Sequence, residues 1–202
     1  MVGRTEAHAK AAEAAFRSAG AEAVGVVADL LRDGSIEAVV ARAREVFDAV
    51  PAAVVWNVGF VPWPVGEGWD PALLARVARD EARALGSLAA ALAPHWRGAG
   101  GLIVTIEGHS QERIGGLAPA LAVASAVRAA IFDRLRLDAP ELTLSRVVLG
   151  AIPSGPAGEG RWLTQDEVTA AVAEALVSRA ARIAVGDLEL AAQLADRFKA
   201  PR

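Results

Sequence analysis

The stretch Glu107-Gly108-His109-Ser110-Gln111-Glu112 places a carboxylate, an imidazole and a hydroxyl directly after an apolar run. It approaches the Gly-x-Ser-x-Gly turn that lifts a nucleophilic serine between a strand and a helix, but Glu112 stands where the last glycine belongs. That turn also needs a histidine later in the chain than the serine, and His8, His95 and His109 all precede Ser110. Hydrolysis is therefore set aside, and Glu107, His109 and Ser110 are kept as candidate lining of a ligand cleft. Trp56 and Asn57, at the end of "AVVWNVGF", join them. Dispersed histidines and the absence of cysteine leave no metal-ligand spacing, so no metal site is expected.

Such groups need a scaffold, and the chain alternates between two patterns. "TEAHAKAAEAAFRSAG" reads as a helix ending on Gly20, and "AEAVGVVADL" as a strand closed by Asp29. "GSIEAVVARAREVFDAV" puts Ile36, Val39, Val40, Ala43 and Phe47 on one helical face behind a Ser35 cap. Next come the strand "AAVVWNVGF", a long helix ending near Pro94 and Trp96, the strand "GGLIVTIEG", and a helix around "LAPALAVASAVRAAIFDRLRL". The strand "TLSRVVLGAI" follows, then a flexible loop "PSGPAGEGR", a helix opening on a Thr164 to Glu167 capping box, the strand "ARIAVGDLEL" and a short final helix. Near-continuous apolar strands separated by helices indicate an α/β, doubly wound parallel sheet covered on both faces. In such sheets ligands bind beyond the carboxyl ends of the strands, where Trp56, Asn57, Glu107, His109 and Ser110 would lie. Trp63, Trp69 and Trp96 fall near that edge or in the helix after it, and core packing is the expectation for most of them.

At 202 residues the whole chain, 1–202, is expected to form one domain. No apolar run reaches the roughly 18 residues of a membrane span, and the opening "MVGRTEAHAK" is unlike a secretory signal. With no cysteine, a cytoplasmic location is expected. A net charge of -3 with arginines scattered among carboxylates offers no basic stripe for nucleic acid.

The order and spacing of these segments resemble the short-chain dehydrogenase/reductase family. An aspartate, Asp29, closes one strand, and Trp56-Asn57-Val58-Gly59 stands where the family reads Asn-Asn-Ala-Gly. "WDPALLARVARDEARALGSLAAALAPHW" is similar to its long interface helix, "LIVTIEG" to its serine-bearing strand, and "LSRVVLGAIPSG" to the late strand entering a Pro-Gly turn. The resemblance implies a Rossmann-like sheet, an NAD(P) cofactor and oxidoreduction. Asp29, Asn57 and Gly59 would be remnants of its cofactor side.

Departures from the family's pattern fall at its working residues. The family opens with a strand and a GxxxGxG turn whose glycines let backbone amides approach the cofactor pyrophosphate, and this chain contains no such motif. "MVGRT" resembles the end of the family's second strand, where Gly-Arg often receives an adenosine phosphate; Arg4 alone cannot replace a phosphate cradle. The family's tyrosine protonates the substrate carbonyl, and a lysine one helical turn on lowers the tyrosine pKa. There is no tyrosine here, and the lysines, Lys10 and Lys199, lie in terminal segments. Alignment places Gly108 at the serine position, Leu121 at the tyrosine, Ser125 at the lysine, and Asp80 or Glu81 at the asparagine.

The expectation is thus a non-catalytic, structural or regulatory subunit with no catalytic residues, no cofactor and a sheet lacking the first strand. It would be a homodimer or a hetero-oligomer with an intact short-chain dehydrogenase, joined through the alanine-rich helices around Glu81–Pro94 and Leu117–Leu137. A repurposed enzyme or small-molecule binder is the alternative, and an NAD(P)-dependent oxidoreductase the third. With its first strand gone, the strand at "AVGVVADL" is expected to close against "AVVWNV", giving about five parallel strands.

Overall fold

The computed structural model describes residues 1–61, 68–108, 119–154, 159–191 and 193. In chain order the elements are β1 (Val2–Gly3), α1 (Glu6–Ser18), β2 (Val26–Val27), α2 (Ser35–Phe47), β3 (Ala53–Trp56), α3 (Pro71–Trp96) and β4 (Gly101–Gly108). They continue with α4 (Pro119–Asp138), β5 (Leu142–Leu149), β6 (Ala151–Ser154), β7 (Glu159–Trp162), α5 (Gln165–Ser178) and β8 (Arg182–Val185). Four of the strands form a parallel sheet in the order β3-β4-β5-β8. This is the α/β fold expected from the alternating pattern.

Side chains of β4 alternate between the two faces, and both faces are buried, which is why its sequence is continuously apolar. Ile103 joins Leu85, Leu88, Leu92, Phe132 and Leu144 under α3 and α4, with Ile36 and Val40 of α2 beside them. Leu102 and Val104 face the other way, against Ala171 and Ala175 of α5. Each fully buried aliphatic side chain contributes about 1.5–3 kcal/mol.

Local signals set the helix ends. Asp70 caps α3, accepting from the Ala72 and Leu73 amides at 2.9 and 3.3 Å, and Pro71 occupies the first turn, where a missing N–H costs nothing. Trp96 ends the same helix. Its indole N–H donates to the Pro51 carbonyl at 2.9 Å, and its ring lies so close over Gly101 that a Cβ there would overlap it. Gly101→Ala is therefore expected to lower the urea unfolding free energy by about 1–3 kcal/mol, and an unchanged midpoint would rule this packing out.

The Thr164 to Glu167 capping box forms as expected, and Arg161 grips the same Glu167 carboxylate through two bonds of 2.8 Å. Arg161, with the Thr164 amide and hydroxyl, lowers the Glu167 pKa from 4.5 to about 2. A carboxylate acidified by folding stabilises the native state above its unfolded pKa and loses that contribution as pH falls towards its folded one. Glu167→Gln should flatten the acid limb of the stability curve between pH 4.5 and about 2; an unaltered limb by denaturant titration would show that the cap carries no linkage.

Three expectations need correction. Among the described residues the sheet does not close into five parallel strands: β2 pairs with β1, Val2 beside Val26 and Gly3 beside Val27, in a separate two-stranded sheet, and β3 stands at an edge of the four-stranded one. Apolar character shows that a segment is a strand, not which neighbour it takes, and α1 lies between these two, so the local pair forms. Ser35 does not cap α2; Gly34, at φ +75, precedes that helix with no side-chain bond. Finally, "TLSRVVLGAI" divides into β5 and β6. β6 turns back on β7 as an antiparallel hairpin, so the ends of the expected flexible loop are strand.

Candidate functional site

The four sheet strands deliver a row of side chains to the face beneath α3 and α4. Register pairs Trp56 with Thr105, Thr105 with Arg146, and Arg146 with Arg182, so these share one level of one face. Glu107, one pleat further along β4, is tied into that row. Its Oε1 accepts from the Thr105 hydroxyl at 3.0 Å, and its Oε2 accepts from Arg146 Nε and Nη2 at 3.0 and 2.6 Å. Glu107 and Thr105 are buried, whereas Arg146 retains 42% of its side-chain exposure. This carboxylate is thus bonded by Thr105 of its own strand and by Arg146 across the β4–β5 pair.

A second polar group lies between the helices. Glu81 of α3 and Arg128 of α4 form a buried ion pair, Oε1 to Nη2 at 3.0 Å, with exposures of 0 and 6%. Arg128 Nη2 also donates to the Val58 carbonyl at 3.3 Å. Together they fasten the segment leaving β3 to both helices. Burial pushes the Glu81 carboxyl above its ordinary range, and attraction to Arg128 offsets that only in part. Trp56 Nε1, Glu81 Oε2, Ser125 Oγ and Arg128 Nε are buried with no hydrogen-bond partner among the described residues.

The structure separates several residues that the sequence grouped. Trp56 is buried under α3 and α4, and Asn57 and Gly59 are exposed just past the end of β3. Nothing crowds Gly59, so packing does not demand a glycine there. Asp29 belongs to the detached β1–β2 pair, where its Oδ1 accepts from the Leu31 amide at 3.0 Å and shapes the turn into α2. His109, Ser110 and Trp63 lie outside the described residues. Trp96 is core as expected, whereas Trp69 is 80% exposed. No group of three or more metal-ligating side chains occurs among the described residues.

Of the aligned positions, Gly108 ends β4, and Leu121 and Ser125 lie one turn apart on α4. Asp80 pairs with Arg79 at 3.2 Å, while its neighbour Glu81 enters the core. Arg128 and Thr105 were not identified from sequence. Arg128 carried a readable signal: it falls on the buried stripe Ala120, Ala124, Phe132 and Leu135, where an arginine must find an anion, and Glu81 occupies the equivalent stripe of α3.

On their outer side α3 and α4 leave a groove of about 640 Å³, floored by Gly86, Ala89, Ala93, Ala130 and Ile131. Charged groups stand at its end: Arg134 holds Asp138 at 2.7 and 3.0 Å, and Arg97 Nε donates to the Asp138 carbonyl at 3.4 Å. No helix among the described residues is long and apolar enough to cross a membrane.

No protein-family model matches the sequence, and no curated protein matches it. Solved structures do match, over nearly the whole chain. A short-chain dehydrogenase from Streptomyces avermitilis superposes with a TM-score of 0.68 at 20% identity, over 98% of this chain and 83% of its own. One from Mycobacterium smegmatis gives 0.69 at 19% identity, over 92% and 79%. A gluconate 5-dehydrogenase from Burkholderia cenocepacia, in complex with NADP and tartrate, gives 0.65 at 18%, over 92% and 82%. The chain therefore has a Rossmann-like fold of the short-chain dehydrogenase/reductase type.

Proposed function

We propose that this protein is a non-catalytic relative of the short-chain dehydrogenases that acts as a structural or regulatory subunit. It associates through the α3/α4 groove as a homodimer or with an intact homologue. The observation that carries this is the state of α4. Where the resemblance places a proton-donating tyrosine and a lysine, the helix holds Leu121 and Ser125, and its nearest cation, Arg128, is spent on Glu81 and the Val58 carbonyl. Dinucleotide chemistry does not fit the residues present: Asp29 shapes its own turn, and the sequence contains no GxxxGxG turn.

The groove supplies the surface for association. Its floor is mostly small, with Gly86, Ala89, Ala93 and Ala130 beside Ile131, which allows a second pair of helices to approach closely, and an apolar face would otherwise meet water. Sedimentation of the purified chain tests this reading: a dimer, or a stable heteromer when an intact dehydrogenase of the host is added, is expected. A monomer that ignores every such homologue would end the proposal.

A binder of small molecules is the second reading. The unpartnered Trp56, Glu81, Ser125 and Arg128 atoms favour it, since such groups cost about 1–3 kcal/mol each unless something satisfies them. Ligand-dependent protection of the Glu81 and Arg128 helices in amide exchange would distinguish it from the subunit reading. An NAD(P)-dependent oxidoreductase ranks third, because its proton donor would have to come from another chain.

A further inference from the structure

Two of the buried atoms without a partner belong to one ion pair and are complementary. Arg128 meets Glu81 end-on, through Nη2 and Oε1 at 3.0 Å, which leaves a donor, Arg128 Nε, and an acceptor, Glu81 Oε2, with no bond among the described residues. Those are the two atoms that a side-on guanidinium–carboxylate fork would join, and the fork is the stronger arrangement of such a pair. What stands against it is the second bond of Nη2, to the Val58 carbonyl, whose 3.3 Å lies just beyond the usual range for an N–H donor.

That carbonyl belongs to a segment beyond the sheet. The ladder between β3 and β4 ends at Trp56 beside Thr105, so residues 57–61 lie outside it. Asn57 and Gly59 are exposed, Val58, Phe60 and Val61 are half-buried, and open space surrounds the position of a Gly59 side chain. Turning Arg128 from the Val58 carbonyl to Glu81 Oε2 exchanges one bond from a charged donor for another, so the two arrangements are closely matched in energy.

We propose that Arg128 is a two-position latch: in the structure it ties the Val58 carbonyl to Glu81, and in its second position Nε and Nη2 hold both Glu81 oxygens side-on and release residues 57–61. The release leaves a bare main-chain acceptor just past the carboxyl end of β3, the edge at which doubly wound sheets take their ligands. A ligand that donates an N–H or O–H to Val58 therefore draws the latch to the second position, because it bonds there and not in the first.

Relaxation dispersion on the native protein reads both ends of the latch. The Arg128 Nε–H group and the Val58, Gly59 and Phe60 amides should exchange on the microsecond-to-millisecond scale with one shared rate and population. Glu81→Gln keeps one acceptor for Nη2 and removes the other, so the fork cannot form; dispersion at Gly59 and Phe60 should then fall at least about 5-fold. Flat dispersion at Arg128 Nε overturns the proposal, including the case in which a bound water satisfies a static Nε. So does exchange of residues 58–60 at a rate of their own, and so does exchange that survives Glu81→Gln. Should the glutamine variant not fold, the shared rate in the native protein, or its absence, still decides.

Discussion

Replacing Arg128 with methionine lowers the unfolding free energy by about 3–5 kcal/mol. The magnitude follows from what is left behind. Glu81 has no solvent exposure, and Arg128 is its charged partner in the core. Methionine keeps most of the volume, so the loss is electrostatic rather than a cavity. The variant also releases the Val58 carbonyl and loosens the start of the β3–α3 connection. Its pH dependence has a definite sign. The folded Glu81 carboxyl already sits above 4.5, so the native state binds more protons than the unfolded chain as pH rises past that value. Stability falls over that window, and falls further in the variant, where the offsetting cation is gone. The double variant Glu81→Gln with Arg128→Met should recover much of the loss, since replacing a whole buried pair costs far less than breaking it. Urea titrations at several pH values provide the check; a single-variant loss below about 1 kcal/mol would mean that water reaches the pair.

Ala90→Arg is expected to weaken self-association by at least about 100-fold, close to 2.7 kcal/mol. Ala90 lines the α3/α4 groove and is exposed in the single chain, so the substitution leaves the fold alone. Across a close helix pair it would bury an unpaired guanidinium at the centre of the contact, where truncations and charges have their greatest effect. Sedimentation equilibrium gives the constant, and an unchanged thermal midpoint at low concentration separates loss of association from loss of fold. Association indifferent to Ala90→Arg would place the interface elsewhere.

How much of the molecule was legible in the sequence depends on whether a signal was local. Strand and helix alternation was, because β4 and β5 are apolar on both faces and the α3 and α5 caps, Asp70 and Thr164, lie beside the groups they satisfy. The partner of β2 was not. Val26 and Val27 would suit either β1 or β3, and only the arrangement around α1 decides between them. Glu107 stood out as a candidate, but its engagement by Arg146 depends on β4–β5 register that no single segment contains, although Thr105, two residues back on the same strand, was in view. Asn57 and Gly59, expected within the end of that strand, instead follow β3, which stops at Trp56. Glu81 was noticed as an exchange of charge for amide, whereas its arginine lay 47 residues further along the chain.

Titrating the purified protein with NADPH, followed by nucleotide fluorescence, bears most directly on the proposed non-catalytic role. A linear, non-saturating response up to about 1 mM is expected, with no ketone reduced. Saturable binding in the micromolar range, or turnover of a ketone by this chain alone, would contradict it.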